Sequence, residues 1–403
     1  AANTTASYNT GLGENALINN TTGYSNTAVG NTSLYASTTA THNTAVGSSS
    51  LAGATTGSYN VAIGSGALPS NTSGQRNTGV GYAALNTNTT ASYNVALGMY
   101  TLLSNTTGSS NSAIGYNSLY ANTTGFDNVA VGGATLQANT TGVQNTGLGY
   151  GALAANTTAN NNTAVGHNSL YLNTTGTQNT SVGSFSLDAN TTGDYNTAMG
   201  YAALGAATTA TSNTAVGKGA LTTNVTGHRN TALGFEAAEL STASDNVAIG
   251  YKALDTTTSG SNNTAVGTEA MDANTTGSAN VAVGYRTLDA NTTGHHNVGV
   301  GQYALGASTT ASRNTAVGFS ALETNTTGEN NSAVGRLALG LNTTGAENTA
   351  HGLNALYGNT TGSSNVAIGR SALEANTTAS DNVAIGRSAM EVNTTGTQNV
   401  AVG

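Results

Sequence analysis

Among the Asn-x-Thr/Ser tripeptides of this 403-residue chain, eighteen recur at one fixed place in a repeated unit: at Asn20, Asn71, Asn88, Asn105, Asn122, Asn139, Asn156, Asn173, Asn190, Asn224, Asn274, Asn291, Asn325, Asn342, Asn359, Asn376 and Asn393, and at Asn3 near the start. In an exported protein this pattern accepts Asn-linked sugar. The asparagines are therefore candidate glycosylation sites, with the threonines beside them as candidates for Thr-linked sugar. A sugar coat would shield the backbone from proteases and keep a weakly charged protein in solution. The competing reading is turn chemistry combined with a threonine ladder. The same threonines also admit an ice- or glycan-binding array, although two adjacent threonines in a bend point in different directions, whereas a flat array needs Thr-x-Thr on a strand.

Other reactive side chains are sparse. The six histidines are scattered. His295 and His296 are neighbours without a third ligand, which makes a weak metal site at best. His351 occupies what the repeat suggests is a core position. The acidic residues lack the spacing of calcium-binding nonapeptides, and the glycine-rich stretches recur as corners, so they are not phosphate loops. Catalysis needs unlike titratable groups converging in a cleft; the sequence offers no such set, and neither enzymatic activity nor a cofactor is expected. Nine Lys and Arg form no basic stripe for nucleic acid, and the net charge of -8 is thinly spread. No apolar run approaches the roughly 20 residues of a membrane span. The absence of cysteine excludes a disulfide framework.

What must position these residues is a repeat. The pentad Asn-x-small-x-Gly begins at Asn9, Asn26, Asn43, Asn60 and onward to Asn399, 24 copies in all, at intervals of 17 residues except for one of 16 between Asn230 and Asn246. The unit reads N-T-A-V-G-Y-x-A-L-x-A-N-T-T-G-x-x, numbered here as positions 1 to 17. A period this short, without 3.6-residue apolar spacing, suits one coil of a solenoid rather than a helix pair. Positions 2 to 4 alternate as a short strand. Together with the leucines at position 9, such as Leu34, Leu68 and Leu102, position 4 is expected to form one of two internal apolar columns. Asn at position 1 (Asn26, Asn60, Asn94) predicts a stacked amide ladder. Gly at position 5 (Gly30, Gly64, Gly98) predicts positive φ or close backbone approach at a corner. All 26 charged residues and all 17 tyrosines fall at positions 6, 7, 10, 16 or 17, which places those positions outside. Position 3 is always Ala, Gly or Ser. If it points opposite to positions 2 and 4, its small size predicts close packing by another chain or the next sheet, the alternative being that Ala simply fills the inside of a tight coil.

The pentads Asn60-Val61-Ala62-Ile63-Gly64, Asn246-Val247-Ala248-Ile249-Gly250 and Asn382-Val383-Ala384-Ile385-Gly386 resemble the head repeats of trimeric autotransporter adhesins, and related repeats occur in phage tail-fibre-like proteins. The resemblance runs along the whole chain. It implies a left-handed parallel β-roll, three chains side by side, and display on a bacterial surface for adhesion. The unit here is longer than the adhesin one by virtue of Asn-Thr-Thr-Gly at positions 12 to 15.

The sequence thus predicts an all-β parallel β-solenoid with one coil per 17 residues and about 24 coils. Residues 1–403 are expected to be a single continuous array cut from a longer fibre, since Ala1-Ala2-Asn3-Thr4-Thr5 and Gly403 both fall within coils and carry no cap. The expected role is an extracellular or cell-surface structural filament or adhesin shaft, with a viral tail-fibre shaft and an ice- or glycan-binding array as alternatives. Expected partners are further copies of the chain, end to end or side by side, a trimer among the options, and surface glycans or a host surface.

Overall fold

The computed structural model describes residues 5–403; Ala1 to Thr4, with the Asn3 tripeptide and the chain opening, lie outside the described residues. The chain falls into two units, one up to Met199 and the other Gly200–Gly403. Among the described residues each unit is built from three-residue strands: β1 (Thr10–Leu12) to β12 (Thr197–Met199) in the first, and β13 (Thr214–Val216) to β24 (Val400–Val402) in the second. No described residue is helical.

Every strand comes from positions 2 to 4 of a coil, and within each unit successive strands pair in parallel at the same positions. In the first unit β2 (Thr27–Val29) lies on β3 (Thr44–Val46) with Ala28 opposite Ala45. In the second, β16 (Thr264–Val266) lies on β17 (Val281–Val283) with Ala265 opposite Ala282. Slanted bonds flank the strand, as parallel pairing requires: Thr27 N donates to Asn43 O at 2.8 Å and Gly47 N to Val29 O at 2.7 Å. The fold of each unit is therefore an all-β parallel solenoid with one turn per 17 residues.

Two corners explain the most uniform residues. Gly30, Gly64 and Gly98 at position 5 have φ of 130°, 128° and 135°, a region L side chains rarely adopt. A Cβ on Gly30 would also stand 2.5 Å from the Gly47 carbonyl oxygen of the next coil, so both conformation and space demand glycine. Leu34, Leu68 and Leu102 at position 9 are fully buried, yet have φ of 48°, 53° and 51°. That left-handed turn aims the side chain into the coil. It also accounts for the absence of Val, Ile and Thr at position 9 in a chain that uses them freely in strands, since β-branched residues tolerate positive φ worst.

The face expected to be internal is the outer one. Ala28, Ala62 and Ala96 at position 3 are fully buried, whereas Ile63, Leu97 and Leu148 at position 4 are 40–47% exposed. The cause is the narrowness of the coil. A methyl placed on Gly79 would already lie 3.2 Å from Leu68 Cδ1, so the leucine turn fills the interior up to the strand, and a larger residue at position 3 would overpack it. Small residues at position 3 close on the molecule's own leucines, and the inference of side-by-side packing drawn from them does not stand. His351, at position 4, is accordingly exposed rather than in the core.

The 16-residue coil starting at Asn230 keeps its strand pairing, Thr231 opposite Val247. Ala238 holds the left-handed corner with φ of 51° but supplies only a methyl to the leucine column, while Leu240 is exposed.

Candidate functional site

Two asparagine ladders run through each unit. At position 1, Asn60 N donates to Asn43 Oδ1 at 2.8 Å, and Asn60 Nδ2 donates to Gly74 O at 2.9 Å. Asn26 Nδ2 donates to Ala40 O at 2.8 Å and Asn94 Nδ2 to Gly108 O at 2.9 Å. Each side chain thus links its own coil across the interior and accepts from the next coil along the axis.

The second ladder is made by the candidate glycosylation sites. Asn122 Nδ2 donates to Asn105 Oδ1 at 2.8 Å and to Gly125 O at 2.9 Å, spending both amide hydrogens. Asn20 is 2% exposed, and Asn71, Asn88, Asn105, Asn122, Asn139, Asn156, Asn173, Asn190, Asn224, Asn274, Asn291, Asn325, Asn342, Asn359 and Asn376 are fully buried. Asn393, in the last coil, is half-buried and bonded in the same way. A sugar on Nδ2 would replace a hydrogen that holds the coil together and has no path to solvent, so in the folded array these asparagines are structural. The two ladders share one acceptor: Gly108 O receives both Asn94 Nδ2 and Asn105 Nδ2 at 2.9 Å, using both carbonyl lone pairs. The signal for this lay in the replacements at position 12, which are Ser37, Ala54, Ala207, Ser241, Thr257 and Ser308: small and uncharged, as a buried site requires.

The adjacent threonines divide the work. At position 13 the hydroxyl donates along the axis, Thr106 Oγ1 to Thr123 O at 3.0 Å in the first unit and Thr275 Oγ1 to Thr292 O at 2.9 Å in the second. At position 14 the side chain is exposed in every 17-residue coil described, and it is always Thr or, at Ser73 and Ser259, Ser. Among the described residues none of these position-14 hydroxyls bonds to the chain. Other exposed positions vary freely: position 6 holds Tyr82, Met99, Gly133, Lys218 and Arg336. A hydroxyl that is uniform, free and exposed stands out against that internal control.

Corner aromatics stack on one another. His42 lies parallel to Tyr59 at 4.8 Å, and the Arg76 guanidinium sits 5.8 Å from the Tyr59 ring and 5.4 Å from the Tyr93 ring. Ring faces engaged in this way stiffen the corner. His295 and His296 have ring centroids 6.4 Å apart, and His295 Nδ1 accepts from Ser278 N. His351 Nε2 lies 3.2 Å from Ser332 Oγ. Among the described residues no three His, Asp or Glu converge to hold a metal ion.

One charged group departs from the outside placement. Position 10 of four consecutive coils in the second unit holds Glu239, Asp255, Asp272 and Asp289, and Asp255 is only 8% exposed. Lys252 Nζ lies 3.6 Å from Asp255 Oδ2 and 3.5 Å from Glu236 Oε2. Burial pushes the Asp255 carboxyl up to about 6, against the pull of Lys252 and with the neighbouring Asp272 and Glu239 carboxylates adding to the rise. Burial likewise raises Asp272 and Asp289.

No protein-family model matches the sequence, and no curated protein matches it.

Proposed function

We propose that the chain is a section of an extracellular structural shaft, a stiff, weakly charged spacer in a surface filament or adhesin stalk, and not an enzyme. The observation that carries this reading is the axial bonding. In each unit the coils are joined to the next by strand pairing, by an amide at position 1, in most coils by a second amide at position 12, and, except where Val225 stands, by a hydroxyl at position 13. Stacked coils bonded along their whole perimeter resist bending and leave little backbone for proteases. The test is immunogold labelling of intact cells or particles that produce the protein. A label placed beyond the array should sit outside, and closer to the surface once pairs of coils are excised. An interior label, or a distance that ignores the excision, would overturn the spacer role. A virus particle as the carrier, with the array as a tail-fibre shaft, is the other outcome that preserves it.

The partner in this reading is another copy of the chain. Positions 2 and 4 face outward, and across all coils they carry Val, Thr, Ser, Ile, Leu, Met or the single His351, with no Lys, Arg, Asp or Glu. A solvated sheet face tolerates charge, whereas an uncharged face on a parallel sheet, with position 4 apolar in every coil but that of His351, is suited to burial against a like surface. Sedimentation of the purified chain should give an oligomer, a trimer among the options, and Leu97→Lys together with Ile114→Lys should reduce it to monomer with the fold intact. A wild-type monomer at high concentration would remove this part of the proposal.

The position-14 hydroxyls favour a Thr-linked sugar coat over an Asn-linked one. The intact mass of native material, compared with the 39.6 kDa of the polypeptide, decides it: an excess removed by β-elimination supports the coat, and an unmodified mass excludes it.

A further inference from the structure

We propose that the position-10 column of Glu239, Asp255, Asp272 and Asp289 is an acid-strengthened clamp in the second unit, holding its coils more firmly once the column takes up a proton and loosening them near neutrality. The inference rests on stacking. Like groups at one position of successive coils are brought to about 4.8 Å by the strand spacing, where like charges oppose each other. Asp255 is the most buried of them, and its Oδ1, like Asp272 Oδ1, meets no hydrogen-bond donor of the chain. The charged groups around Asp255 are Lys252 on its own coil, Glu236 and Glu239 from the coil before, and Asp272 from the coil after. Beyond Asp272 stand Glu269, Arg286 and Asp289. Lys252 is shared between Asp255 and Glu236, and Arg286 is held by Glu269 at 2.6 Å, so the column carries more negative charge than its cations offset.

The direction follows from the raised carboxyl. A group whose folded pKa lies above its unfolded value stabilises the fold fully below the unfolded pKa, and that contribution is lost as pH rises through the folded one. For Asp255 the window runs from the ordinary 3.8 up to about 6. Its position matters as well. Glu239 belongs to the 16-residue coil, which has Ala238 in place of leucine and Ser241 in place of the laddering asparagine. The pH-sensitive column therefore begins in the coil with the thinnest core of the second unit.

The experiment is hydrogen exchange of the full chain between pH 7.5 and 5, corrected for the intrinsic chemical rate and read at residues 230–290, together with a carboxyl NMR titration of Asp255. Protection in these coils should increase about tenfold as pH falls across this range, and the Asp255 carboxyl should titrate near 6. Asp255→Asn, which imitates the protonated group, should give the strengthened state at pH 7.5 and flatten the pH dependence. Protection that is unchanged or falls on acidification, or an Asp255 titration in the ordinary carboxylate range, would overturn the proposal whether or not the variant folds.

Discussion

Gly147 and Thr135 illustrate how little volume the interior has to distribute. A methyl on Gly147 would stand 2.5 Å from Thr135 Cγ2 of the preceding coil. Thr135 cannot swing away without breaking its own bond to Gly149 O at 2.6 Å. Gly299 and Thr287 repeat the arrangement in the second unit, at 2.6 Å. Gly147→Ala should therefore destabilise the first unit by about 1–3 kcal/mol, and Thr135→Ala should restore most of the loss in the double variant, as thermal or denaturant unfolding would show. Additive losses would mean that the methyl is accommodated elsewhere. The three interior serines Ser169, Ser181 and Ser186 follow the same logic with hydroxyls, since Ser181, the sole serine at position 3, sits 2.8 Å from Ser169 Oγ and 2.5 Å from Ser186 Oγ. For the second amide ladder, Asn139→Ala removes bonds to Asn122 Oδ1 and Gly142 O and orphans the donor on Asn156. Each buried polar group left unpaired costs about 1–3 kcal/mol, so the loss should exceed that of an ordinary surface change. Peptide N-glycanase should release nothing from the native array.

At the scale of the coil, the left-handed corner at position 9 sets a rule testable by shape alone. Leu136 has φ of 51° and is fully buried. Leu136→Ile conserves volume, a change that ordinarily costs less than about 1.5 kcal/mol. Here it adds the strain of a β-branched residue at positive φ, so its unfolding midpoint should fall below that of Leu136→Met, which keeps an unbranched Cβ. The coil period, the strand at positions 2 to 4, and the glycine and leucine corners were legible because each is a strict pattern with one physical reading. The orientation of the strand was not. In three residues the larger side chains ordinarily mark the buried face, but in this coil the leucine turn fills the interior and leaves room for only a methyl. The buried ladder at position 12 was hidden for a related reason, because an asparagine in Asn-Thr-Thr-Gly reads as a surface turn until its partners in the next coil are seen. The raised carboxyl of Asp255 depends on which side chains stack beside it, and only the assembled column supplies that.

At the scale of each unit, stability is a sum over coils and their interfaces, so the weakest coil governs where opening starts. In the second unit the 16-residue coil combines Ala238 in the leucine column, an unpartnered Ser241 hydroxyl and an exposed Leu240. Amide exchange there should be faster than in the coils around Leu322 and Leu339. Filling the column with Ala238→Leu should slow it, provided that the shortened coil has room for the larger side chain; a clash would instead appear as a lower midpoint. In the first unit Leu187→Asp puts a carboxylate without a partner into a fully buried site, a cost of several kcal/mol. Protection should collapse in the adjoining coils and persist near Leu34. Uniform loss across the unit would mean that the coils unfold together.

Every coil presents its neighbours with nearly the same surface, which makes the number of coils a quantity that copying errors can change without cost to the fold. Removing residues 128–144 would seat Ala113 against Gly147 and Asn111 against Asn145, in contacts the array already contains, whereas removing 128–143 would leave one 18-residue coil with an extra residue to be taken up at a corner, the converse of the 16-residue coil that keeps its pairing. Slippage or unequal exchange between repeats in the gene would then add or delete reach in whole steps, leaving selection to act on length while the architecture stays constant.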